Sequence, residues 1–102
     1  MKLIKKLCEM IEDEIDGAEE YVELSLKLKD EDPTLARSFF NLSLQEMEHM
    51  NILHSAVVGL IESYRSEHGE PPASMQAVYD YLHERHIERA GKVKALQSLY
   101  KN

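Results

Sequence analysis

The chain has 102 residues with 12 Lys and Arg against 19 Asp and Glu, a net charge of −7. That acidic balance excludes a nucleic-acid surface and an anionic-membrane surface, both of which need clustered basic side chains. The length allows one domain, spanning residues 1–102, with a core small enough that a second chain commonly completes its burial.

The first element is read as a helix over 2–29. Glu9, Glu12 and Asp13 interrupt the apolar residues after the basic start, Lys2 to Lys6, so no membrane or signal segment forms there and a cytoplasmic protein is expected. The single cysteine, Cys8, has no partner for an internal disulfide and no thiolate cluster around it, which leaves packing as its role. A second helix is expected over 33–67: Asp32 is a good N-cap, Pro33 fits the first helical position, and Asp30, Glu31 and Asp32 favour the positive end of the helix dipole. Gly69 is placed to end it, and Pro71 and Pro72 forbid continuation until a third helix over 73–100. No stretch alternates with period two, so the fold class is all-α.

Helical phase, at about 100° per residue, sets the expected inward faces. Glu14 lies in the first stripe with Leu7, Ile11, Ala18, Tyr21 and Leu28, whereas Glu12, Asp13, Asp16, Glu19 and Glu20 point away and read as a solvated face. Glu46 lies in the second stripe with Leu35, Phe39, Leu42, Met50, Leu53, Val57, Leu60 and Tyr64, with His49 to one side and Glu48 opposite. The third stripe holds Met75, Val78, Leu82, Val93, Leu96 and Tyr100, with His86 and Arg89 inside it.

An inward ionised carboxylate needs a partner, because burying it alone costs several kcal/mol. An ion pair with Arg89 would satisfy Glu14, and a core histidine bonded to a backbone carbonyl would account for His49. Taken together, an inward Glu14 and the Glu46-Met47-Glu48-His49 step form a metal-ligand pattern, since a carboxylate and an imidazole three residues apart share a helix face. His86 is a further candidate ligand, with a structural core histidine as its alternative. His54 and His83 flank their stripes and are assigned no role, and His68 is placed in the loop region.

The segment Glu14-Ile15-Asp16-Gly17-Ala18-Glu19-Glu20-Tyr21 followed by Glu46-Met47-Glu48-His49 resembles the ferritin-like superfamily, in particular rubrerythrins and encapsulated ferritins, over roughly residues 7 to 60. It also looks like short ferritin-like proteins of prophages. The resemblance implies a three-helix antiparallel bundle completed by dimerisation, as a homodimer or higher homo-oligomer. It also implies metal ligands at Glu14, Glu46 and His49, with Glu46 bridging two ions in each dimer, and ferrous iron oxidation as the activity. Carboxylate and imidazole donors without thiolate suit iron or manganese, and zinc is also compatible. The chain departs from the full family pattern in having one Glu-x-x-His set and no fourth helix; an alignment of Glu14-Ile15-Asp16-Gly17-Ala18 with His86-Ile87-Glu88-Arg89-Ala90 puts His86 at a ligand position.

A reading from another class is a helical dimer that keeps the ferritin-like shape without metal, using Glu14, Glu46 and Arg89 as a buried polar network that fixes register. The two readings part over whether Arg89 stands beside Glu14. Gly59 and Gly91, costing about 1 kcal/mol each within a helix, are expected to mark close helix approach.

Overall fold

The computed structural model describes residues 2–101 and contains three helices: α1 (Lys2–Leu28), α2 (Pro33–His68) and α3 (Ala73–Lys101), with no strand among these residues. The boundaries follow the expected punctuation. Asp32 accepts a hydrogen bond from the Leu35 amide at 3.1 Å, Pro33 opens α2, and Gly69 at φ 80° closes it. A positive φ suits glycine, which has no Cβ to clash. His68 is the last residue of α2 rather than part of the loop.

The helices run up, down and up in an elongated bundle of 55 × 19 × 17 Å. The α1–α2 seam is the densest. The buried residues of α1 include Ile11, Ile15, Ala18 and Val22, and those of α2 are Ala36, Phe40, Ser43, Met47, Met50, Val57 and Ile61. Small side chains at Ala18, Ala36 and Ser43 let the backbones approach. A buried polar chain bridges all three helices there: Gln97 Nε2 donates to Ser43 Oγ at 3.0 Å, and Ser43 Oγ donates to the Ala18 carbonyl at 2.7 Å. Cys8 is buried, as expected.

α3 runs parallel to α1 and is held to it by a polar ladder in matching order. Arg85 lies 3.6 Å from Glu12, Arg89 pairs with Asp16, and Lys92 lies 3.8 Å from Glu19. This corrects the reading of Glu12 and Glu19 as part of a solvated face, since both are partly buried; Asp16 stays exposed, as expected, while pairing with Arg89. The acids' spacing of four and three residues matches that of Arg85, Arg89 and Lys92, so each acid meets a base once α3 lies alongside. Half-exposed pairs of this kind contribute at most about 1 kcal/mol each, so the ladder's main effect is on register. Between α2 and α3 the contacts come largely from longer side chains. Phe40 stacks on Tyr100 at 4.3 Å between ring centroids, and His54 meets His83.

The inward faces are rotated from the expected stripes. The buried ridge of α2 centres on Ala36, Phe40, Ser43 and Met47, while Leu35 and Leu42 remain 42% and 37% exposed. On α3 the buried residues are His86, Ala90, Val93 and Gln97, and Val78 faces solvent. The apolar band of α2 is therefore wider than one α1 packing partner covers. Gly59 and Gly91 mark no close approach, since a Cβ at either would meet nothing within 4 Å. Among the described residues no helix is long and apolar enough to cross a membrane.

Candidate metal centre

The α1–α2 hairpin has two flanks. One carries the acids paired to α3, and the other carries Glu14 on α1 with Glu46 and His49 on α2. Because α2 descends beside α1, these three residues meet at one level, with a ligand atom of each within 4.8 Å of the others. His49 Nδ1 lies 3.4 Å from Glu14 Oε2 and 3.8 Å from Glu46 Oε1. Three of the four expected ligands are thus brought together.

Their burial differs from expectation. Glu14 and Glu46 sit at the edge of the core rather than at its centre, and the His49 ring is 54% exposed, leaning over the acids from the outside. The cause is the rotation of the inward face: Met47 and Met50 take the core positions on α2, which places Glu46 and His49 on its shoulder. Hydrogen bonding of its protonated form to the Glu14 side chain, with partial desolvation and the neighbouring Glu14 charge, raises Glu46 from an ordinary 4.5 to about 7, against an opposing pull from His49.

A residue that sequence reasoning passed over shapes this site. Gly17, one turn after Glu14, faces Glu46, and a Cβ there would lie 3.0 Å from Glu46 Oε2. Its absence leaves room for the carboxylate against α1. The available signal was a glycine in a helix interior on the same flank as Glu14. Tyr21, two turns beyond Glu14, stacks on Phe39 with centroids 6.0 Å apart and carries the apolar lining onward. Leu35 and Leu42 continue it on α2, with solvent rather than protein over them.

His86 does not join the cluster. It is buried in the α1–α3 interface, where its Nε2 lies 3.7 Å from Glu12 and makes no hydrogen bond. Desolvation lowers its pKa, with Glu12 opposing. The position that the alignment with Glu14 suggested faces α1, because α3 packs on the flank opposite Glu14. Arg89 likewise pairs with Asp16 rather than Glu14, so no arginine neutralises the acid pair from α3.

The donor set tests well against a divalent cation. Two carboxylates and an imidazole nitrogen converge without thiolate, a combination suited to iron, manganese or zinc. The neighbouring Glu14 charge is among the causes that raise Glu46, and a bound cation would relieve that repulsion. The fold is an all-α three-helix bundle, and its polar cluster is of carboxylate–imidazole type. No protein-family model, curated protein or solved structure matches the chain.

Proposed function

We propose that this chain is a ferritin-like metal protein in which Glu14, Glu46 and His49 form half of a two-metal centre and a second copy supplies the other half. The observation that supports this most is the convergence of the three ligand atoms within 4.8 Å on a flank with exposed apolar neighbours. A two-fold axis beside this flank would bring two such sets together and cover Leu35 and Leu42. In that arrangement Glu14, Glu46 and His49 Nδ1 would be the residues that hold the ions.

Ferrous iron is the substrate in this reading, and each ion oxidised to ferric iron gives one electron to dioxygen or peroxide. The protein's own contributions are distinct. Glu46 releases its proton on binding, His49 presents Nδ1 from the solvent side, and the net charge of −7 attracts cations. Manganese or zinc would occupy the same donors without that oxidation.

The closeness of Glu14 to Glu46 and the raised pKa of Glu46 also favour a second reading. Two acids that satisfy one another through a shared proton form a register-fixing pair in a metal-free helical dimer, of the kind a short prophage protein would use. Elemental analysis separates the two, with the untagged protein reloaded anaerobically with ferrous iron beside a Glu46→Ala, His49→Ala double variant. About one iron per chain in the dimeric wild type and none in the variant is expected from a two-metal bundle site. No bound metal in either protein overturns the metal reading and leaves the metal-free dimer.

A further inference from the structure

The α2–α3 side of the bundle holds a second group of metal-competent side chains. His54 projects from α2 and His83 from α3, with Nε2 of the first 3.3 Å from Nδ1 of the second. Their rings lie 5.0 Å apart at 25°, and Tyr79, one turn earlier on α3, stacks on the His83 ring at 5.7 Å. Both rings are partly buried, and the two nitrogens come from different helices.

We propose that His54 and His83 form a two-imidazole site for a borderline divalent cation, zinc in the first instance, that clamps α3 onto α2. The spacing carries the argument. Two nitrogens on one tetrahedral zinc at about 2.0–2.1 Å stand about 3.3–3.4 Å apart, which matches the 3.3 Å between His54 Nε2 and His83 Nδ1. The ligands belong to different helices, and the Tyr79 stack fixes one of them, so little side-chain freedom is left to lose on binding. Burial and the neighbouring His83 disfavour protonation of His54, which keeps its ring in the neutral form a metal requires. Among the described residues no other imidazole, thiolate or carboxylate joins the pair within ligand-sharing distance, so water completes the coordination.

The location gives the ion a structural consequence. α2 and α3 meet mainly through extended side chains, and a bond to both would tie the third helix to the hairpin. Imidazole ligands follow the order in which copper, nickel and zinc bind more tightly than manganese or ferrous iron. The carboxylate-rich Glu14 cluster accepts the latter ions more readily, so the two sites differ in selectivity as well as place.

The test uses the full chain carrying Glu46→Ala and His49→Ala, which removes the first cluster, and follows thermal unfolding during titration with zinc sulfate. The melting temperature is expected to rise with zinc, and the rise to vanish on adding either His54→Gln or His83→Gln. Absence of a rise in the parent variant, or its persistence after either histidine change, overturns the proposal and leaves a hydrogen-bonded histidine pair. Nitrogen-15 spectra of the folded parent variant decide the matter should a histidine variant fail to fold. Zinc must then shift His54 Nε2 and His83 Nδ1 together, and a shift confined to other rings such as His68 overturns the site.

Discussion

Gly17 faces Glu46 across the α1–α2 seam, where a Cβ on the glycine would lie 3.0 Å from the carboxylate oxygen Oε2. In a free helix, alanine at such a position stabilises by about 1 kcal/mol. Here that gain is offset by pushing the Glu46 side chain away from Glu14. Gly17→Ala is therefore expected to unfold within about 1 kcal/mol of wild type while losing metal affinity by about tenfold or more. Chemical denaturation and metal titration on the same preparation check this, and an unchanged affinity would show that Glu46 does not depend on the space beside Gly17.

Metal uptake should depend on pH through Glu46. Its carboxyl titrates at about 7 in the fold against 4.5 as its ordinary value, so the folded chain holds a proton that a cation must displace. Affinity is expected to climb as pH rises from 6 to 8 and to level off above that. The apo protein has the opposite slope from this group: stability from the retained proton is full near the unfolded value and declines as pH rises through about 7. Glu46→Gln should flatten both profiles, measured by metal titration and thermal unfolding.

The exposed apolar flank predicts an association defect. Leu42 is 37% exposed beside the acid pair, and a charge placed there would have to be desolvated on pairing of two hairpins. Leu42→Glu is expected to shift the protein toward monomer in sedimentation velocity and to lower metal stoichiometry, with helix content retained by circular dichroism. A dimer that survives this change would place the interface elsewhere.

The buried chain from Gln97 through Ser43 to the Ala18 carbonyl should be sensitive to truncation. Ser43→Ala removes the acceptor of the Gln97 amide and the donor to the Ala18 carbonyl. A cost of about 1–3 kcal/mol in urea unfolding is expected for the groups left unsatisfied. Replacing Gln97 by Leu in the same variant should recover part of that loss, since an apolar pair of similar shape leaves one fewer orphaned group.

His54 and His86 should both make the fold sensitive to acid. Desolvation is the main reason each binds its proton more weakly in the fold than in the unfolded chain, where histidine titrates near 6.5. Stability is then lost as pH falls through 6.5, opposite in sign to the Glu46 contribution over the same range. The difference in unfolding free energy between wild type and His54→Gln should narrow from pH 7.5 to pH 5.5. A difference independent of pH would show that His54 is protonated as easily in the fold as outside it.

Helix number, order and ends were legible in the sequence because each has a local cause: Asp32 caps an amide three residues on, Pro33 has no amide to leave unpaired, and Gly69 accepts a positive φ. The pairing of Glu46 with His49 was legible for the same reason, since three residues on one helix share a face whatever surrounds them. Which part of each apolar band faces protein was decided only when the helices packed. The small residues Ala36 and Ser43 drew α1 onto one side of α2 and left Leu35 and Leu42 in solvent. The same packing turned Arg89 toward Asp16, enclosed His86 against Glu12, and set His54 opposite His83. Residue spacing determines angle around one helix axis, whereas the rotation and stagger between axes come from side-chain volumes and charges on all three helices at once.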